Sequence, residues 1–251
     1  MVSLKQIVAA CDTMLQIGKI GDWDNALNGL QIENSGRIRK IGAAVDASTR
    51  TFELAAQRDI NFLIVHHGLF WNGLQPVTGI LHRQLRIALE SDLALYSAHL
   101  PLDMHPVLGN NALFAASIGI RSTTPFLEEK GQKIGLKSRT VCNRNELLRR
   151  LGKSLGNPIR QFNFGPQKTR VVGIVTGAAG SEIYRVAAEG VDTFITGEAP
   201  HWAAVAAEEL GLNLWLGGHY ATETFGVKAL AQYLSKKFKL PFEFIDCPTG
   251  L

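Results

Sequence analysis

The sequence predicts an α/β fold made of two related βαβ-containing lobes, with a dinuclear metal site at the carboxyl ends of the strands between them. Three observations support this. Short apolar runs alternate with helix-length segments, the series occurs twice, and histidine–acid clusters follow the strands. The second series lies 131 residues after the first, so that Gly42 matches Gly173 and Ile60 matches Val191. Helix-length segments between short apolar runs are typical of right-handed crossovers between parallel strands.

The first predicted lobe, residues 1–125, opens its sheet with a strand–helix–strand series. Residues 40–45 are expected to form a strand, residues 49–58 a helix, and residues 60–65 a second, fully apolar strand. A further helix then leads to a third strand at residues 93–98. An apolar run of strand length bounded by polar residues indicates a strand that is buried on both faces.

The second predicted lobe, residues 126–251, repeats the same plan. Its strands are expected at residues 170–175, 191–196 and 212–216, with a helix at residues 180–189 between the first two. The two lobes use the whole length of 251 residues, so no room remains for an inserted domain between them.

The composition is that of a globular chain in a reducing compartment. Hydrophobic residues make up 46% and charged residues 19%, which excludes disordered and fibrous proteins. Cys11, Cys142 and Cys247 form no CxxC pair, so they are predicted to be buried or incidental and not part of a disulfide framework. Residues 1–17 predict an amphipathic helix, and no apolar run approaches the ~20 residues of a membrane span. A soluble, cytoplasmic protein is expected.

The positive charge is concentrated in one segment. Residues 121–170 contain 12 Lys and Arg against 3 acidic residues, a local balance of +9, whereas the whole chain carries +4. This segment either attracts the phosphates of a nucleotide or nucleic acid, or forms a solvated surface. The turn Gly177–Gly180 before a helix likewise either holds a phosphate or is a plain βα turn.

A histidine pair follows the second strand of the first lobe. His66 and His67 stand at its carboxyl end, where the functional crevice of an open α/β sheet lies. Neighbouring residues of a strand point to opposite faces, so the two rings are expected to reach different ions, and Gly68 permits a turn there. Burying two imidazoles without partners would be costly, which favours metal binding over a hydrogen-bonded structural cluster.

Two further histidine–acid pairs have the same placement. His219 and Glu223 lie four residues apart at the start of a predicted helix, and therefore share one face of it. A carboxylate at that position can bridge two cations. His99 and Asp103 follow the third strand of the first lobe, where Asp103 is a candidate ligand and His99 a possible sixth one.

Other polar residues have more than one interpretation. Glu198 follows a strand of the second lobe and either transfers protons or is a carboxylate at a helix start, favoured by the helix dipole. His82 is expected at the surface, and His105 and His201 in a loop or at a helix start.

At these residues the sequence resembles the dinuclear-metal proteins catalogued as GTP cyclohydrolase I type two homologues, also called the NGG-interacting-factor-three-like family. The resemblance implies two divalent ions held by a common set of ligands, with the last one bridging: His66, His67, Asp103, His219 and Glu223. The motifs that carry it span the whole chain: Trp23-Asp24-Asn25, Gly29-Leu30-Gln31, His66-His67-Gly68, His99 to Asp103, Asn110-Asn111, Thr196-Gly197-Glu198 and Gly218-His219 with Glu223.

The resemblance also implies a function. Two neighbouring ions favour hydrolysis, here of a nucleotide or related phosphorylated heterocycle, with His99 or Glu198 as proton carriers. Mixed imidazole and carboxylate ligands suit zinc, iron, manganese or nickel. A toroidal homohexamer with an anionic small-molecule substrate is implied. The alternatives are a non-enzymatic metal-storage or scaffold ring, or a ring that binds nucleic acid, against which the lack of an aromatic platform argues.

Overall fold

The structure is a computed structural model that describes residues 2–251. The chain divides into two compact units. The first consists of the described residues up to Leu102 together with Gly226–Cys247, and the second of Asp103–Phe225 together with Pro248–Leu251. The predicted lobe boundaries, 1–125 and 126–251, stay a prediction.

Strands and helices alternate along much of the chain. The strands are β1 (Val2–Ser3), β2 (Gly29–Ile32), β3 (Arg37–Ile38), β4 (Ile41–Asp46), β5 (Phe62–His67), β6 (Ala94–Ser97), β7 (Thr124–Glu129), β8 (Gln132–Arg139), β9 (Arg160–Asn163), β10 (Val171–Ile174), β11 (Thr193–Thr196), β12 (Asn213–Leu216) and β13 (Phe242–Phe244). The helices are α1 (Leu4–Leu15), α2 (Thr49–Gln57), α3 (Gly79–Glu90), α4 (Leu100–Asp103), α5 (Asn110–Ser117), α6 (Arg144–Leu155), α7 (Ile183–Ala188), α8 (His201–Glu209) and α9 (His219–Phe238). Among residues 2–251, no helix has the length and apolar character needed to cross a membrane.

The first unit contains a five-stranded sheet of order β13-β4-β5-β6-β2. Strands β4, β5 and β6 are parallel, which confirms the predicted α/β class and its βαβ series. Strand β13 adds in parallel beside β4, and β2 closes the other edge in antiparallel orientation. Residues 62–66 of β5 are all buried, as expected for a central strand covered on both faces.

The second unit contains a six-stranded sheet of order β7-β8-β10-β11-β12-β9. Its parallel centre, β10, β11 and β12, corresponds to the second predicted series. The basic segment supplies what the first series lacks, namely the antiparallel hairpin β7–β8, helix α6 and the edge strand β9. Alternation along the strands buries both faces, with Phe194 and Leu214 in one hydrophobic cluster and Ile195 and Trp215 in another.

A glycine on the first parallel strand of each unit makes the same close contact. A Cβ at Gly42 would lie 2.6 Å from Cγ2 of Ile60. A Cβ at Gly173 would lie 3.1 Å from Cγ1 of Val191 and 2.9 Å from Cζ of Phe126. In both units, the aliphatic side chain that precedes the second parallel strand packs against this glycine. No side chain fits at the glycine position. The sequence match between these pairs thus reflects equivalent packing.

We predict that Gly42→Ala and Gly173→Ala each lower the free energy of unfolding by about 1–3 kcal/mol, because the added methyl overpacks the core. Urea denaturation followed by circular dichroism measures this. Gly152→Ala in α6 is the matched control, since nothing lies within 4 Å of its added Cβ and alanine favours the helix. Wild-type stability in both core variants would contradict the packing described.

Candidate metal centre

The histidine pair lies at the end of β5, and each ring is held by a different neighbouring strand. His66 is buried, and its Nδ1 donates to the carbonyl oxygen of Ala98, directly after β6, at 2.8 Å. His67 Nδ1 donates to Oδ1 of Asp46, the last residue of β4, at 2.8 Å. Carbonyl and carboxylate oxygens only accept, so both protons are on Nδ1. Both Nε2 atoms therefore carry the lone pair that a metal requires.

His99 is held in the same way by a buried carboxylate. Its Nδ1 donates to Oδ1 of Asp22 at 2.8 Å, and the Asp22 side chain is only 6% exposed. Asp22 also accepts from the amide of Asn28 and the backbone N–H groups of Trp23 and Leu100. Burial raises the pKa of Asp22, but the hydrogen bond and charge of His99, with the other donors, outweigh it and lower that pKa. Asp22 thus remains a carboxylate that fixes the His99 tautomer.

These three histidines form one cluster in the first unit. One ring nitrogen from each of His66, His67 and His99 lies within 4.8 Å of the others, a spacing suited to a metal ion. The ring centroids of His66 and His67 are 4.8 Å apart, and those of His66 and His99 are 4.9 Å apart. Trp71 packs edge-on against His99, with centroids 4.8 Å apart and an angle of 83°. The indole covers one side of the cluster.

The loop after the histidine pair depends on a glycine. A Cβ at Gly68 would overlap the side chain of Gln31. Gln31 accepts from the backbone N–H of Leu69 at 2.8 Å and donates to the carbonyl of Leu27. The conformation of the chain that leaves the histidines is therefore fixed by the Gly-Leu-Gln motif recognised in the sequence.

The second unit presents a histidine between two carboxylates at the start of α9. His219 Nδ1 contacts Oε1 of Glu198 at 3.0 Å, and its Nε2 contacts Oε2 of Glu223 at 3.1 Å. Burial lowers the pKa of His219, but the hydrogen bonds and charges of Glu223 and Glu198 outweigh it and raise the pKa to about 9. Without a metal, His219 is therefore an imidazolium that donates to both acids. The contact between Glu198 and Nδ1 orients the His219 ring.

Glu223 also lies close to Asp103, within the same unit. One carboxylate oxygen of each lies within 4.8 Å of the other, and both side chains are buried. Asp103 Oδ1 accepts from Nδ2 of Asn110 at 2.8 Å and from the hydroxyl of Thr176 at 3.3 Å. Glu223 thus contacts His219 and lies near the Asp103 carboxylate.

A glycine makes room for the Glu223 carboxylate. Gly177 has a φ of +72°, and a Cβ at this position would overlap Oε1 of Glu223 and lie 3.5 Å from Nε2 of His219. Its backbone N–H donates to Oγ1 of Thr222 at 3.1 Å. A side chain at residue 177 would both strain the backbone and displace the carboxylate.

The turn around Gly177–Gly180 is not a phosphate loop, contrary to one of the two interpretations of the sequence. Three of its backbone N–H groups donate to protein oxygens, so they do not point at a ligand. The pairs are Gly177 to the Thr222 hydroxyl, Ala179 to the Thr196 hydroxyl and Gly180 to the Glu198 carbonyl. The plain βα turn is the correct interpretation.

The remaining histidines differ from the four above. His105 Nδ1 accepts from the backbone N–H groups of Val107 and Leu108 at 3.1 and 2.9 Å, so its proton is on Nε2 and the ring caps a turn. His82 is exposed in α3 and His201 is exposed at the start of α8.

Several residues of the site have roles that the sequence did not reveal. Asp22 and Asp46 hold His99 and His67, and Trp71 packs against the imidazole cluster. The role of Asp46 could have been predicted from the sequence, because an acid at the end of β4 lies at the same sheet edge as the histidine pair. Asn111 was recognised as part of a motif, and its amide donates to the backbone carbonyl of Asp103 at 3.2 Å.

A family model described as Duf34/NIF3 (NGG1p interacting factor 3) matches residues 2–249. The chain belongs to this family. A Deinococcus radiodurans relative named "GTP cyclohydrolase 1 type 2 homolog" is 39% identical over 93% of this chain and 90% of its own length. A relative of the same name from Archaeoglobus fulgidus is 37% identical over 100% of both chains.

A solved structure has the same fold along the whole chain. The crystal structure of TTHA1606 from Thermus thermophilus is 38% identical and covers 100% of both chains with a TM-score of 0.91. The suspected resemblance to the NGG-interacting-factor-three-like family is therefore confirmed.

Metal binding at His219 should release a proton. Because the pKa of His219 is about 9 in the metal-free protein, a cation at Nε2 must displace a proton at pH 7. We predict an affinity for zinc that rises with pH up to about 9 and then levels off. Calorimetric titration of zinc in buffers of different ionisation enthalpy measures the protons released. His219→Gln should release about one proton fewer at pH 7; equal release would contradict the assignment.

Proposed function

We propose that the protein is a metal-dependent hydrolase that binds two divalent ions and acts on a nucleotide or related phosphorylated heterocycle. The ligands proposed are His66, His67, Asp103, His219 and Glu223. One observation carries the proposal. In each of the three histidines proposed as ligands, an oxygen atom lies against Nδ1, which leaves Nε2 for a metal ion. Second-sphere oxygens of this kind are the usual support of metal-binding histidines.

Both sets of donors have the chemistry of such a centre. The first unit offers three imidazoles, and the second offers two buried carboxylates with His219. The buried Glu223 carboxylate is paired with the His219 imidazolium in the metal-free protein, and a metal ion at Nε2 would replace that cation. We infer that Glu223 is shared by the two ions. Mixed nitrogen and oxygen ligands suit zinc, iron, manganese or nickel.

The residues around the ligands have separate tasks in hydrolysis. Two bound divalent ions would supply Lewis acidity and lower the pKa of a water molecule. His99, which Asp22 holds in place, accepts a proton from the attacking water at Nε2 and donates it to the leaving group. Glu198 keeps His219 oriented and serves as a second proton carrier from its exposed side. Trp71 limits the access of water to the histidine cluster.

The names of the relatives support the nucleotide class, since they are called GTP cyclohydrolase 1 type 2 homologs. The homohexamer implied by the family resemblance belongs to the same proposal. So does an anionic substrate, because the chain carries a net charge of +4 and bound cations would add to it.

A panel of nucleotides tests the proposal. We predict metal-dependent hydrolysis of at least one nucleotide by the wild type, and a loss of about 100-fold or more in Glu223→Gln, which removes the bridging charge. His82→Ala is the control, because His82 is exposed in α3 and outside the site.

Three results would contradict the hydrolase. The first is metal binding without turnover of any nucleotide, as in a storage or scaffold protein. The second is full activity in Glu223→Gln. The third is a His67→Ala variant that loses metal but keeps turnover.

A further inference from the structure

A mainly apolar cavity of about 510 Å³ lies within the first unit, where the loop after the histidine pair meets helix α3. Small-molecule sites usually have volumes of about 300–1,000 Å³ and apolar walls with a few fixed polar groups. Leu27, Val77 and Ile80 line the cavity and are each more than half exposed, so a bound ring would cover apolar surface that otherwise faces water. The cavity thus has the size and the lining of a ligand site.

One side chain holds two walls of the cavity together. Gln31 accepts from the backbone N–H of Leu69 at 2.8 Å and donates to the carbonyl of Leu27 at 2.8 Å, and both leucines line the cavity. The backbone N–H of Gly73 donates to the carbonyl of Phe70 at 2.9 Å, which closes a turn in the loop that forms a further wall. The cavity is therefore formed before a ligand binds, which lowers the entropic cost of binding.

A buried amide supplies a fixed polar group in the cavity wall. Gln84 of α3 lines the cavity and is only 8% exposed. Its Nε2 donates to the backbone carbonyl of Ala47 at 3.2 Å, which determines the end of the amide that carries the oxygen. Within residues 2–251, Oε1 of Gln84 has no hydrogen-bond partner, yet it keeps access to solvent. Because the rest of this side chain is buried, that access is through the cavity, and a ligand there can donate to Oε1.

The cavity adjoins the histidine cluster. Ala47, which accepts from Gln84, donates its own backbone N–H to the carbonyl of His67 at 2.9 Å. Leu69 lies two residues after His67, so their Cα atoms are at most about 7 Å apart. A ligand of nucleotide size can therefore contact the cavity and the imidazoles together.

The lining disfavours a phosphate and favours an uncharged ring with N–H groups. Asp24 is the charged residue among the described residues of the lining, and its carboxylate repels an anion. The amide oxygen of Gln84 only accepts, so the group that it binds must donate. A purine or pteridine base has a large apolar face together with amino or ring N–H groups, and meets both requirements.

We propose that this cavity is the subsite for the heterocycle of the substrate, in which the base packs against the apolar walls and donates an N–H to Oε1 of Gln84. The inference rests on the proposed hydrolase function, which makes the occupant a phosphorylated heterocycle and places its phosphates at the ions. Recognition is then divided between a neutral, apolar cavity for the base and a cationic metal centre for the phosphates.

Nucleosides test the subsite, because they carry the base without the phosphates. The bases of adenosine and guanosine have N–H donors, whereas the base of purine riboside has none. Isothermal titration calorimetry of the metal-loaded protein should show binding of adenosine, guanosine or both. Purine riboside should bind about tenfold more weakly than the better of the two, because it leaves the Gln84 oxygen without a donor.

Two variants locate this preference in the cavity. Gln84→Met removes the acceptor at similar size, and should lower the affinity for the better nucleoside about tenfold and abolish its advantage over purine riboside. Gln57→Met, in an exposed glutamine of α2 outside the cavity, is the matched control and should change neither. Leu81→Trp places a large ring on the helix face that carries Gln84, and should weaken all nucleoside binding by about tenfold or more.

Three results would overturn the subsite. The first is equal affinity of the wild type for all three nucleosides. The second is wild-type affinity in both Gln84→Met and Leu81→Trp. The third is the absence of nucleoside binding; if Leu81→Trp then also changes the oligomeric state, the surface is a contact between copies of the chain.

The two proposals can fail separately. Hydrolysis of a nucleotide without Gln84-dependent nucleoside binding retains the hydrolase and overturns the subsite. Gln84-dependent nucleoside binding without hydrolysis of any nucleotide retains the subsite and overturns the hydrolase.

Discussion

The hydrogen bond from histidine Nδ1 to an oxygen is the interaction on which the site depends. His66 uses a backbone carbonyl, whereas His67 and His99 use carboxylates. The oxygen determines both the tautomer and the ring orientation. Each Nε2 therefore has its lone pair available for a metal ion before any ion binds. His105 has the opposite arrangement, with Nδ1 as acceptor, and therefore acts as a turn cap.

The sheets supply these oxygens because the ends of parallel strands lie at one edge. In the first unit, Asp46 ends β4, His67 ends β5 and Ala98 follows β6, so neighbouring strands provide a ring and its partners. In the second unit, Glu198 follows β11 and contacts Nδ1 of His219. Gly177 leaves space for the buried carboxylate of Glu223, which α9 presents. Strand ends and one glycine thus convert an ordinary α/β framework into two sets of metal donors.

The sequence predicts the parts of this site that depend on local pattern. The apolar run before His66, the four-residue spacing of His219 and Glu223, and the match of Gly42 with Gly173 are all visible in it. The acceptor Asp22 lies 77 residues from His99, so only the folded chain reveals the pair. The Gly177–Gly180 turn has the composition of a phosphate loop, but three of its N–H groups donate to oxygens of the protein itself.

Metal content is the most direct test of the account. Elemental analysis of wild-type protein, purified without added metal and then incubated with zinc or manganese, should find about two ions per chain. The double variant His66→Ala with Glu223→Gln should retain about one ion or fewer, because each substitution removes a proposed ligand. Fewer than one ion in the wild type, or unchanged content in the double variant, would contradict a dinuclear centre built on these histidines and acids.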